Sequence, residues 1–138
     1  MLLAVCSCSK PKSMHGKNPQ DINGFLNFNT YKPIAVEYEL EQLGDGNLGP
    51  SDYKLEAVLY YDEATFIKLR DEYANTVHTT QDKSSKYFNF IWLPKAVKNE
   101  LAKSPKAYTG HPGVILSSNP NCTLWFLKNK VLVYYFTM

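Results

Sequence analysis

The sequence has few cysteines, and they are not arranged to cross-link a small fold. Three occur in 138 residues, and Cys6 and Cys8 lie too close together to form an ordinary structural disulfide. Cys122 is left without an obvious partner. We therefore expect no disulfide framework. A chain of this length can bury a core without one.

The chain also lacks a strong charge imbalance and any ligand-binding signature. The formal net charge is +2 with histidine neutral, so charge gives no reason to expect a nucleic acid partner. Residues 44–49 have the glycine spacing of a dinucleotide fingerprint but lead into Pro50 and a predicted strand, whereas that fingerprint leads into a helix. His15, His78 and His111 have no metal-site spacing. We expect no nucleic acid partner, no cofactor and no metal.

No pattern of catalytic residues can be identified either. Cys122 could pair with His78 or His111, but nothing in the sequence supplies the third group that would orient a thiol–imidazole pair. Asp62 and Glu63 are adjacent carboxylates, and capping of a helix start explains them without chemistry. We expect no catalytic residue and no enzyme activity.

The N-terminus carries the most specific signal. The apolar run at residues 2–5 is far too short to span a bilayer, which takes about 20 residues. No basic segment precedes it, which favours a true start upstream of Met1. The stretch Val5-Cys6-Ser7-Cys8 resembles the lipobox of bacterial lipoproteins: an aliphatic residue, a small residue, then Gly, Ala or Ser before the lipidated cysteine.

This resemblance implies that Cys8 carries a lipid. The alternative frame ends at Cys6, but it places a valine where a small residue is needed for cleavage. A lipoprotein of this kind is anchored to a membrane through its N-terminal lipid, with its domain in the periplasm or at the cell surface. We therefore expect residues 1–8 to be a residual signal segment of a protein of the bacterial cell envelope.

The rest of the chain divides into a tether and one domain. Residues 9–31 are rich in Lys, Pro, Asn, Gly and Gln without a sustained period, which predicts a flexible tether. Residues 32–138 are predicted to form a single α+β domain, with a mainly antiparallel sheet of about six strands and two helices. The predicted strands are 34–41, 53–61, 87–92, 114–117, 123–127 and 131–136, and the predicted helices are 62–75 and 94–103.

Hydrophobic alternation predicts how these strands pair. The first two strands are expected to form an antiparallel hairpin across the glycine-rich loop at 44–50, and the last three a meander. Glu37, Glu39 and Glu41 share the polar face of the first strand. That row is either a solvated face or a site for a cation or a basic partner.

Aromatic residues are the most unusual feature, with 10 Tyr, 7 Phe and 2 Trp. Alternation in a strand sends half of such residues to each face of the sheet. The second face is either covered by the helices or exposed as a surface for protein, peptide, glycan or acyl chain. The candidate binding surface consists of Tyr87, Trp92, Trp125 and Tyr134.

These observations favour a lipid-anchored, non-enzymatic binding or accessory protein of the bacterial envelope. The alternative is an immunity-type or inhibitor-type protein that binds a protein partner. A small hydrolase with an unrecognised site ranks third.

Overall fold

The fold is built on one antiparallel sheet. The computed structural model describes residues 13–43, 52–76, 80–81, 91–103, 107–109, 115–119 and 121–137. Within these ranges seven strands form a sheet of order β1-β2-β3-β7-β6-β5-β4. The strands are β1 (Ser13–Gly16), β2 (Ala35–Leu43), β3 (Asp52–Tyr60), β4 (Thr80–Gln81), β5 (Ala107–Thr109), β6 (Cys122–Phe126) and β7 (Lys130–Phe136). The helices are α1 (Glu63–Thr76) and α2 (Lys95–Leu101), and a 3-10 helix spans Pro19–Ile22. The predicted α+β class is confirmed.

The predicted hairpin is formed by β2 and β3, the second and third strands in the order of the sheet. All nine residues of β2 pair with the nine of β3, from Ala35 opposite Tyr60 to Leu43 opposite Asp52. Alternate residues therefore face opposite sides along the whole hairpin. β7 pairs with the other edge of β3. The turn that joins β6 to β7 lies between the strands predicted at 123–127 and 131–136, and it contains Asn129 at a positive φ of 56°. Asparagine adopts that conformation more readily than most residues do.

α1 covers one face of the sheet and forms the main core with it. Asp62 accepts the Thr65 backbone N–H at 2.8 Å, which caps the helix start. One stripe of the helix is buried in this core, since Phe66, Leu69 and Tyr73 follow at helical spacing. The alternate strand residues Leu55, Ala57 and Leu59 share that core. Tyr53 instead contacts Phe25 edge-on.

α2 covers part of the opposite face. Its two buried residues, Val97 and Leu101, belong to a second core cluster with Val58, Trp125 and Leu132 of the sheet. At the edge of this cluster the Lys130 ammonium lies 2.6 Å from the Glu100 carboxylate. The sheet therefore has a hydrophobic layer on each side.

Two predicted strands do not form over their described residues, which are 91–92 and 115–117. Residues 115–117 form a bend, because the Leu116 carbonyl accepts the Asn27 N–H at 2.8 Å and its own N–H donates to the Tyr73 hydroxyl. Ile91 and Trp92 lie in a turn before α2, and residues 87–90 and 114 lie outside the described residues. The meander forms with β5 as its first strand, in place of the strand predicted at 114–117.

The predicted tether is also wrong over residues 13–31. β1 pairs with β2 at one edge of the sheet, and Ile22, Leu26 and Phe28 are buried in the main core. The Tyr38 hydroxyl donates to Asp21 at 2.5 Å, which ties the 3-10 helix to β2. The apolar residues of this polar segment are isolated, so they show no hydrophobic periodicity in the sequence. Each of the three is nevertheless buried in the main core. Residues 9–12 lie outside the described residues.

Replacing Ile22 by alanine tests whether this segment belongs to the fold. The side chain is fully buried, so Ile22→Ala should lower the free energy of unfolding by about 2–5 kcal/mol. Met14→Ala is the matched control, since Met14 is 44 % exposed in the same segment and should cost far less. Denaturant titration measures both. Equal, small effects would mean that residues 13–31 do not contribute to the core.

Candidate functional site

The structure brings together three of the four predicted binding residues on one side of the sheet. Trp92 and Tyr134 are half-buried and pack against the cluster beneath α2. Trp125 belongs to that cluster and is only 2 % exposed, so its prediction as a surface residue is wrong. The two rings of β6, Trp125 and Phe126, lie on opposite faces of the sheet and are both buried, because α2 covers the face that carries Trp125. Tyr87 lies outside the described residues, as do Cys6 and Cys8.

A row of polar side chains crosses the same side of the sheet next to these aromatic residues. The register places His15 opposite Glu39, Glu39 opposite Glu56, and Glu56 opposite Tyr134. Residues opposite each other on neighbouring strands point to the same face, with their Cβ atoms about 4.5–5.5 Å apart. The two carboxyl groups of Glu39 and Glu56 are therefore direct neighbours, and like charges in that position are destabilising.

Glu56 is the most unusual member of this row because it is buried. It is 5 % exposed, and the Trp92 indole Nε1–H donates to its Oε1 at 3.2 Å. Burial raises the pKa of the Glu56 carboxyl, and the nearby carboxylates of Glu39 and Glu41 raise it further. The Trp92 hydrogen bond and the Lys54 charge act in the opposite direction but do not cancel the rise.

His15 closes the row at the β1 edge. Its Nε2–H donates to Glu37 Oε2 at 2.9 Å, and its Nδ1 lies 4.0 Å from Glu39 Oε2. Its ring also meets the Trp92 ring edge-on, with centroids 5.1 Å apart. The sequence placed His15 in a tether, whereas the structure places it in a contact between two carboxylates and an indole.

We use the name acidic strip for the four carboxylates that β2 and β3 present here, namely Glu37, Glu39, Glu41 and Glu56. Lys54 is the basic residue of these two strands on this face, and its ammonium lies 4.0 Å from Glu41. The carboxylates of β2 are partly exposed, with side-chain exposures between 21 and 34 %. The strip therefore combines excess negative charge with an indole ring, which is the chemistry that binds a primary amine or a guanidinium.

The strip could have been found only in part from the sequence. Glu37, Glu39 and Glu41 were predicted to share a face, and the structure confirms this. Glu56 lies on the same face opposite Glu39, but its burial depends on Trp92, which is 36 residues away in the chain. The pairing of Glu39 with Glu56 follows from the register of the hairpin, which is the signal that sequence reasoning could have used.

The cysteine considered from the sequence for a thiol–imidazole pair does not belong to this row. Cys122 is fully buried in the main core, and burial raises the pKa of its thiol to about 12, so the thiol is protonated at neutral pH. His78 and His111 lie outside the described residues. In the part of the chain that the structure describes, no three metal-ligating side chains cluster, and no helix is long and apolar enough to cross a membrane.

Comparisons with known proteins assign no family. No family model matches the chain, and no curated protein or solved structure is significantly similar to it.

Replacing Glu56 by glutamine tests the burial of a charge at this position. The Glu56 carboxyl has a higher pKa in the folded than in the unfolded chain. The free energy of unfolding therefore falls as the pH rises from the ordinary glutamate range through that raised pKa. Glu56→Gln removes this loss and keeps an oxygen that can accept the Trp92 hydrogen bond. We expect the variant to be more stable than the wild type at neutral pH, with the advantage shrinking as the pH falls through the ordinary glutamate range.

Urea titrations across this pH range measure the difference. Glu63→Gln, at the exposed start of α1, is the control and should give no gain at neutral pH. A Glu56→Gln variant that loses stability at neutral pH would contradict the argument, since it would mean that the ionised carboxylate stabilises the fold.

Proposed function

We propose that this chain is a lipid-anchored, non-enzymatic binding protein of the bacterial cell envelope, and that its acidic strip binds a cationic segment of a protein partner. The observation that carries the binding role is the direct pairing of Glu39 with the buried Glu56. A pair of carboxylates that destabilises the free protein gains most from a bound cation, because the cation removes their repulsion.

The surroundings of this pair favour a side chain over a metal ion. Trp92 lies beside Glu56, and an indole attracts an ammonium or guanidinium placed over its face. Guanidinium groups also form paired hydrogen bonds with carboxylates. An arginine-containing segment supplies both interactions, and a lysine-containing segment supplies the first. A strand edge or loop of a protein partner can present either one.

The proposed anchor rests on the lipobox-like residues around Cys8. Four residues, 9–12, separate Cys8 from β1. Five steps along an extended chain span at most about 18 Å, so a lipid on Cys8 would hold β1 within that distance of the membrane surface. His15 of β1 contacts the acidic strip through Glu37, so a partner of the strip would bind close to the membrane.

Lipidation can be tested by metabolic labelling of the full-length precursor with a clickable fatty acid. Cys8→Ala should abolish the label and release the protein into the soluble fraction, because the cysteine thiol is the site of acylation. Cys122→Ala is the control: it removes a buried thiol and should leave the label unchanged. Loss of label in Cys6→Ala, with labelling of Cys8→Ala intact, would move the anchor to Cys6. Labelling that survives both changes would contradict the anchor.

Cation binding can be tested with a tri-arginine peptide in an NMR titration that follows the indole N–H signal of Trp92. The peptide should shift this signal, and Glu39→Gln should weaken binding by about tenfold, or about 1.4 kcal/mol. The interaction should also weaken with salt. Glu63→Gln, on the α1 side of the sheet, is the matched control and should bind as the wild type does. A tri-glutamate peptide that binds equally well, or an equal loss in Glu63→Gln, would contradict the proposal.

An immunity-type or inhibitor-type protein is the second candidate, and the same strip favours it. An acidic surface that covers a basic active site or a basic toxin would need the same carboxylates. Tight binding of a basic toxin or a basic enzyme by an unlipidated Cys8→Ala chain would favour this candidate, because such inhibition does not require a membrane anchor.

A further inference from the structure

A second concave surface lies on the other side of the sheet, at the edge of the main core. It is an open groove of about 720 Å³ between the loop that follows the 3-10 helix and the loop that precedes β6. It is lined by residues 23–27, Asn29, residues 116–119 and Tyr135 of β7. Sites for small ligands have volumes of about 300–1,000 Å³, so the groove is of suitable size.

The polar groups of this groove are neutral. Its described lining contains no acidic or basic side chain, and instead carries four amides and three hydroxyls, those of Asn23, Asn27, Asn29, Asn119, Ser117, Ser118 and Tyr135. An ionic ligand would lose its hydration here without gaining an opposite charge. A ligand with many neutral donors and acceptors would instead find partners, since each amide offers both.

Two aromatic rings give the groove a hydrophobic part. The Phe25 ring meets the Tyr135 ring edge-on with centroids 5.6 Å apart, and it meets Tyr53 at the same distance. Phe25 and Tyr135 are half-buried, so each presents part of a ring to the groove while the rest is fixed by packing. Rings held in this way offer apolar contact area at a low cost in conformational entropy.

Hydrogen bonds fix some of the amides and leave others available. Asn119 Oδ1 accepts the Asn121 N–H at 2.8 Å, and Asn27 Oδ1 accepts the Asn29 N–H at 3.0 Å. The Asn27 Nδ2 group and the Asn23 side chain have no hydrogen-bond partner among the described residues. The groove therefore offers oriented neutral donors beside aromatic rings.

We propose that this groove binds a neutral saccharide. A sugar ring carries hydroxyl groups around its rim and C–H groups on its faces, so it would pair with the amides and lie against Phe25 or Tyr135. A neutral polar peptide is the competing ligand, but it would bring backbone groups and fewer hydroxyls for the same number of contacts. The groove and the acidic strip lie on opposite faces, so this proposal does not depend on the proposed function.

The test is an NMR titration of the full chain with maltose, cellobiose, lactose and N,N′-diacetylchitobiose at millimolar concentrations. At least one of these disaccharides should shift the side-chain amide signals of Asn23, Asn27 and Asn29. Tyr135→Ala should weaken its binding by about tenfold, or about 1.4 kcal/mol. Tyr134→Ala is the matched control, because this neighbour in β7 points to the opposite face.

Asn29→Ala serves as a second variant, since Tyr135 also packs against the core and its loss could affect folding. Asn29 is exposed, and its loss should weaken saccharide binding, whereas Asn99→Ala on the exposed side of α2 should not. The proposal is overturned if none of the four disaccharides shifts these amides. It is equally overturned if a tri-asparagine peptide shifts them while the disaccharides do not, or if Asn99→Ala weakens binding as much as Asn29→Ala.

Discussion

The register of the hairpin formed by β2 and β3 determines which side chains lie on each face of the sheet. Nine residue pairs fix β2 against β3, and they place Tyr38 opposite Ala57 on the α1 side and Glu39 opposite Glu56 on the other side. A slip of one residue would exchange the two faces of the slipped strand and turn its glutamates into the main core. The hydrophobic core thus enforces the pairing of the two glutamates across the strands, because the register that buries Leu55, Ala57 and Leu59 also places Glu39 opposite Glu56.

The N-terminal segment depends on the same hairpin. β1 adds to the free edge of β2, and Gly16 lies opposite Tyr38. A Cβ atom on Gly16 would lie 2.5 Å from the Tyr38 hydroxyl oxygen, so a side chain there would displace the hydroxyl from Asp21. Burial and the hydrogen bond to Asp21 together raise the pKa of Tyr38 to about 12. The hydroxyl is therefore protonated at neutral pH and remains a donor. Glycine at this position lets β1 and the 3-10 helix approach β2 together.

The sequence predicted the parts of the fold that depend on local periodicity. β2, β3 and α1 were found because their hydrophobic residues repeat every two or every three to four positions over many residues. β1 and β5 were missed, since strands of four and three residues are too short for a period and are defined by the neighbours they pair with. The segment before β6 is hydrophobic enough for a strand, but Asn27 and the Tyr73 hydroxyl satisfy its backbone groups instead.

The same distinction explains what could be predicted of the sites. The glutamates of β2 share a face for a local reason, whereas the burial of Glu56 requires Trp92 from a distant turn. The aromatic residues were correctly expected on two faces, but only the position of α2 decides that Trp125 is covered while Trp92 remains at the surface. The neutral groove brings residues 23–27 and Asn29 together with residues 116–119 and Tyr135, which follow about ninety or more residues later in the chain. No local pattern could therefore indicate it.

Docking of residues 13–31 also changes what a lipid at Cys8 would do. A flexible tether of the predicted length would let the domain turn freely above a membrane. With β1 starting at Ser13, a lipid on Cys8 would be separated by only four residues from the strand that carries His15. His15 in turn contacts Glu37 and Trp92. Its position at the edge of the sheet also matters, because β1 covers an edge of β2 that would otherwise be free to pair with another chain. One short strand thus links the proposed anchor to the proposed binding surface.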